Sequence, residues 1–270
     1  MNYLRASSPR PPSRSSRRHR LAASALCALP SLVAASACGS VEVLFVDAPP
    51  NAADAPVAVP GLLAWYDMAS VGPSSTIGDA TGHGHHGRCG SNCPAVAVGK
   101  LGGALAFDGR ALVHVPSTPE LETRRAFTVS AWIFQDPATR DRRRCPINKP
   151  LGTGNLNSWA ICLEPSGQIS FYSAPDPAGP VGDNLTSNQL LTPDAWHHVA
   201  ITWDGTVKRV FVDGVADGQR PQPIAFDDND ILFGADLDAG LPVVEFYGLL
   251  DEVRIYDRAL TSAEVSALAL

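Results

Sequence analysis

From about residue 61 onward the apolar positions recur with a period of two rather than 3.6. Phe127, Val129, Ala131 and Ile133 alternate with Thr128, Ser130 and Trp132, so one face of that segment is apolar. Val199, Ile201 and Trp203 repeat the pattern, Asp204-Gly205 supplies a turn, and Val207 to Val212 forms the next strand. A second turn at Asp213-Gly214 completes a three-strand meander, and Val253 and Ile255 share one face of a late strand. Short strands parted by Gly, Pro and Asp turns predict a two-sheet antiparallel sandwich, because no long amphipathic helix separates them. The one predicted helix is terminal: Thr261-Ser-Ala-Glu264 reads as a capping box, and Val265 and Leu268 follow at helical spacing.

The chain before residue 61 has a different pattern. Arg5, Arg10, Arg14, Arg17, Arg18 and Arg20, with no acid among them, precede an apolar run from Leu21 to Ala37. That order predicts an export signal over 1–37. An uncleaved anchor helix is the rival reading, which Pro30 and the Ala/Ser-rich end oppose. Arg17-Arg18 fits a twin-arginine signal only in part, since Arg20 stands where that motif carries a large apolar residue. Ala35-Ser36-Ala37-Cys38-Gly39 resembles the bacterial lipobox, with Ala35 in place of the usual Leu. It implies lipidation of Cys38 and anchoring at the outer membrane or cell surface, whereas ordinary cleavage after Ala37 implies a periplasmic or secreted protein. Residues 38–60 carry repeated prolines and no periodicity, and read as a linker. The domain is then 61–270.

Removing 1–37 changes the charge. The whole chain has 21 basic and 27 acidic residues; the first 37 hold six of the basic and none of the acidic, which leaves the remainder at −12. Such a surface argues against nucleic acid, whose phosphates demand Lys and Arg. It suits calcium. Cys89, Cys93, Cys145 and Cys162 remain beyond the signal and linker, and allow three connectivities. The local pairing Cys89–Cys93 with Cys145–Cys162 is expected in an exported protein, against a metal site or free thiols.

Six segments occur in an order that resembles the laminin G-like jelly rolls of the concanavalin A-like lectin/glucanase superfamily. They are Gly61-Leu-Leu-Ala-Trp-Tyr-Asp67, Asp79-Ala-Thr-Gly-His-Gly-His-His-Gly87, and Gly102-Gly-Ala-Leu-Ala-Phe-Asp-Gly109. Phe127 to Trp132 follows, then Trp196-His-His-Val-Ala with Val212-Asp-Gly214, then Gly248 to Tyr256 with Arg258-Ala-Leu260. The resemblance implies an all-β concanavalin A-like sandwich. It also implies a structural Ca²⁺ where the first and last strands meet, with Asp251 giving a carboxylate and Asp67 and the Asp79 turn beside it.

The fold alone assigns no activity. Glucanases of this superfamily carry Glu-x-Asp-x-x-Glu on one strand, and no such spacing occurs here, so no catalytic residue is expected. His83, His85 and His86 beside Cys89 and Cys93 offer zinc-ligand types, but a Cys89–Cys93 disulfide would consume both thiols. Asp227-Asp228-Asn229-Asp230 and Asp236-Leu-Asp238 read as solvated turns. Trp65, Trp132, Trp196 and Trp203 fall on strand signatures and read as core, which leaves Trp159 with Tyr172 as the candidate sugar platform. Arg140-Asp-Arg-Arg-Arg144 is a basic loop with an anionic glycan as its sharper reading, and His197-His198 reads as structural. The expected function is a tethered, non-catalytic module that binds carbohydrate or a cell-envelope partner. A protein–protein adhesion module is the rival, and a divergent glycosidase the third reading.

Overall fold

The computed structural model describes residues 59–179 and 184–270. The signal over 1–37, Cys38 and nearly all of the 38–60 linker lie outside the described residues. The strands are β1 (Leu62–Tyr66), β2 (Thr76–Ile77), β3 (Gly87–Cys89), β4 (Ala95–Val98), β5 (Gly103–Asp108) and β6 (Val113–Val115). They continue as β7 (Phe127–Gln135), β8 (Arg144–Leu151), β9 (Leu156–Leu163), β10 (Ile169–Tyr172), β11 (Leu185–Thr186) and β12 (Trp196–Trp203). Last come β13 (Val207–Val212), β14 (Val215–Pro221), β15 (Ile231–Phe233), β16 (Asp236–Asp238), β17 (Leu241–Val243), β18 (Tyr247–Tyr256) and the helix α1 (Ser262–Leu268).

Two antiparallel sheets form. The first has the order β14-β13-β12-β7-β18-β5-β4, with β1 also on β18; the second has the order β11-β10-β9-β8-β15-β6-β3-β2. The expected meander is β12–β13–β14, and its second turn has positive φ at both Asp213 (49°) and Gly214 (77°). That is the backbone pattern of a hairpin turn matched to strand twist, in which Asp and Gly are favoured. Phe127, Val129, Ala131 and Ile133 all face inward, as their alternation predicts. The core closes around Phe127, whose ring centroid lies 5.8 Å from that of Trp159 and 6.1 Å from those of Phe171 and Trp203. The capping box of α1 forms with both reciprocal bonds, and Val265 packs with Phe211, Tyr256 and Leu260 over the outside of the first sheet.

Sheet ends are treated unequally. The loop after β2 covers the open side of β1: Asp79 accepts from Trp65 N (3.1 Å), and Ala80 N donates to Trp65 O (2.7 Å). β2 and β11 are two residues long, and β14 carries Asp217, Arg220 and Pro221. β4 has no charge or proline, and its Val96 and Val98 are 58% and 84% exposed.

Candidate functional site: a cleft on the outer face of the second sheet

Cross-strand register carries one straight row over the outside of the second sheet. Thr76, Arg88, His114, Leu232, Asn148, Ala160 and Tyr172 are successive partners. Their neighbours along each strand, such as Val113, Phe233, Ile147 and Ile161, point into the core, so the row must face outward. The β16–β17 hairpin crosses this row near its middle and is pinned to it. Asn148 Nδ2 donates to Ala235 O (2.9 Å), Asn157 Nδ2 to Asp236 Oδ2 (2.8 Å), and Ala239 N to Thr153 O (2.8 Å). Burial holds the Asp236 carboxyl above its ordinary range.

Between the hairpin and the 227–230 loop lies a cleft of about 720 Å³. His114 and Leu232 form its floor, Pro150, Gly152 and Thr153 its end, Leu237, Ala239 and Gly240 one wall, and Asp228, Asn229 and Asp230 the other. The acidic wall is held by its own side chains. Asp227 accepts from Gly152 N (2.6 Å), and Asn229 Nδ2 donates to Gly152 O (2.8 Å) and to Asp227 (2.7 Å). Lys149, fully buried behind the loop, donates to Asn229 O and to Ser117 Oγ. Burial lowers its pKa. Asp230 accepts from Ser117 N (3.1 Å) through one oxygen and faces His114 Nδ1 at 3.4 Å through the other. The Asp228 carboxylate is exposed. The acid-rich loop read as a solvated turn is therefore a braced wall. The density of Asp and Asn over 227–230 was its only signal in the sequence.

The other expected site residues have different roles. Cys89–Cys93 and Cys145–Cys162 are both disulfides, as the local pairing predicts. With both thiols bonded, the zinc reading of that segment loses its two cysteine ligands. His83 Nδ1 lies 2.9 Å from Leu63 O, and His86 Nδ1 accepts from Asp79 N at 3.0 Å.

The three carboxylates expected at calcium all accept backbone hydrogen bonds. Asp79 accepts from Trp65 N, Thr81 N, Thr81 Oγ1 and His85 N, and these bonds lower its pKa against burial, which is the largest single influence and raises it. Asp67 accepts from Ala69 N (3.1 Å), and Asp251 from Leu101 N (2.8 Å) while burial raises its pKa. Among the described residues no group of three or more His, Cys, Asp or Glu side chains could hold a metal ion. The second oxygen of Asp251, Oδ1, is buried with no hydrogen-bond partner.

The aromatic side chains are sorted differently from the expectation. Trp159 is a core residue, 1% exposed, and gives no platform. Of the four tryptophans read as core, Trp203 alone joins the cluster between the sheets. Trp65, Trp132 and Trp196 lie on the outer face of the first sheet, on the opposite parity from Tyr66, Ile133 and Val199. There Trp196 packs on Phe134 at 5.8 Å, Trp132 on His198 at 5.5 Å, and Trp65 Nε1 donates to Glu252 (3.1 Å). His197 is tied to Asp213 (2.8 Å) and Thr192 (2.9 Å), a structural role as expected.

The basic loop is likewise committed. Arg140 donates to Leu191 O, Arg143 pairs with Glu164 and lies over Tyr172, and Arg144 is buried against Glu245 O and Asp141. Arg142, paired with the adjacent Asp141, is the most exposed of the four arginines, and Arg143 stays partly exposed beside Glu164.

Comparison with solved structures returns the same sandwich. The binding domain of Paraclostridial Mosquitocidal Protein 1 is 17% identical with a TM-score of 0.62, over 77% of this chain and 52% of that one. Domain 4 of AbnA, an extracellular GH43 arabinanase from Geobacillus stearothermophilus solved with arabinotriose, is 22% identical with a TM-score of 0.58, over 77% of this chain and 98% of that one. A Trypanosoma rangeli sialidase solved with 2,3-difluorosialic acid is 17% identical with a TM-score of 0.61, over 79% of this chain and 33% of that one. The chain thus spans about half of the first of these proteins and a third of the last. No curated protein matches it. A family model of laminin G-like domains matches residues 107–266, more than half of the chain, and on that match this chain belongs to the concanavalin A-like lectin/glucanases superfamily.

Proposed function

We propose that this chain is an exported, surface-tethered binding module without chemistry of its own, and that it takes carbohydrate in the cleft on the second sheet. The observation that carries the reading is the cleft itself: a floor of His114 and Leu232, one apolar wall, one acidic wall, and three sides braced by hydrogen bonds before any ligand arrives. Preformed concave sites of this composition suit small ligands, because little ordering remains to oppose binding. The arabinotriose in the complex with AbnA domain 4, a domain of nearly the same extent, supports a sugar as the ligand. Glycoside hydrolysis asks for two carboxylates flanking one bond. Both carboxylates lining this cleft stand on one wall, and the wall opposite is Leu237, Ala239 and Gly240.

A glycan array probed with the chain from Cys38 onward, with and without calcium, tests the reading. Binding to a defined glycan class that is lost on blocking the cleft with Ala239→Trp is expected. An array empty in both conditions sinks the carbohydrate reading and leaves protein–protein adhesion. Tethering through lipid on Cys38 is tested separately by intact-mass measurement of the membrane fraction. A mass lacking acyl chains returns the protein to the periplasm or medium.

A further inference from the structure

We infer that the cleft takes an oligosaccharide bearing free amino groups, an inference that rests on the carbohydrate reading above. Among the eleven lining residues the charged or titratable side chains are Asp228, Asp230 and His114, and both permanent charges are negative. The lysine behind the acidic wall is withdrawn. Lys149 lies behind the loop with its amine on Asn229 O and Ser117 Oγ, and burial disfavours its charged form. Arg88 is the cross-strand partner of His114 on the side away from Leu232, and it does not line the cleft.

The two carboxylates differ in what they can offer. Asp230 already holds Ser117 N and faces His114, so it is fixed in position with one oxygen turned along the floor. Asp228 is exposed and two residues away on the same braced wall. A sugar ring laid with its C–H face on Leu232, Leu237 and Ala239 turns its polar edge toward these carboxylates. An ammonium there gains charge-assisted hydrogen bonds. A neutral acetamido group gains ordinary ones, and a uronate meets like charge. The Thr153 hydroxyl at the closed end is a neutral partner for a ring hydroxyl.

Calorimetric titration of the chain from Cys38 onward with a fully deacetylated glucosamine oligosaccharide, its N-acetylated counterpart and a galacturonate oligosaccharide of equal length tests this. The amino form should bind about tenfold more tightly than the acetylated form, with an advantage that shrinks in high salt. D228N/D230N should lose about fivefold toward the amino form and little toward the acetylated one. Asn retains the oxygen that accepts from Ser117, so the wall stays built. Equal or tighter binding of the acetylated or acidic sugar overturns the inference and leaves the carbohydrate reading intact. If none of the three binds, the inference is overturned, and the glycan array alone decides whether the carbohydrate reading stands. A lysine tetrapeptide that binds as tightly as the amino sugar overturns the sugar part and keeps the charge.

Discussion

The outer faces of the two sheets are built from opposite materials. On the first sheet, large side chains fill the exterior: Trp65, Trp132, Phe134 and Trp196 stand out from the strands, and α1 covers the end around Ala200 and Phe211. On the second sheet the central row is His114, Leu232, Asn148 and Ala160, and a hairpin and an acidic loop rise from it to leave a cleft. The same two-residue alternation produced both. A face filled by its own large side chains packs them against one another, whereas a face of modest side chains overhung by loops encloses space. The difference leaves an open cleft on the second exterior, which is where the proposed binding is placed.

Acid should break the first face most strongly. His198 lies on it, 1% exposed, and its pKa is lowered from 6.5 to about 4, chiefly by burial and then by the Arg254 charge. Between those values the unfolded chain binds the extra proton and the folded one does not. Stability is therefore complete above pH 6.5 and is lost as the pH falls toward 4, by about 3 kcal/mol. The raised carboxyls of Asp251 and Glu252 act in the opposite sense. Urea unfolding of wild type and His198→Gln across this range isolates the histidine, and parallel curves for the two proteins would refute its role. Thr261→Ala should have a smaller effect, about 1 kcal/mol, by removing the acceptor that caps α1 over the same face. Loss of several kcal/mol would mean that the helix holds more of the fold than the packing of its Val265 on Phe211, Tyr256 and Leu260 suggests. Smallest of all, the D228N/D230N variant should melt within about 0.5 kcal/mol of wild type while its sugar affinity changes. A large drop in stability would place the acidic wall with the structural face and dissolve the distinction.

Much of this architecture was legible because it is local. Alternation located β7, β12 and β13, the Asp213-Gly214 turn closed the meander, and Thr261 with Glu264 announced α1. The disulfides followed from short separations, 4 and 17 residues. The tryptophans read as core because they fall on strand signatures, but a strand position does not say which face it occupies. Parity alone puts Trp132 opposite Ile133 and Trp196 opposite His197. The cleft was invisible for another reason. It joins His114, Thr153, Asp230 and Leu237, which come from separate strands and turns, and only the crossing of β16–β17 over the sheet brings them together. No spacing along the chain encodes that crossing.

The bare strand β4 has a consequence for how copies of this domain meet. Its backbone edge and the exposed Val96 and Val98 are a template for another strand, whereas the other sheet ends among the described residues are two residues long or carry charge and proline. Antiparallel pairing of β4 with β4 would be a two-fold, self-complementary contact, and it would occupy the one such edge among the described residues of each partner. Association by that route is closed: it stops at two and leaves no end from which a filament could grow.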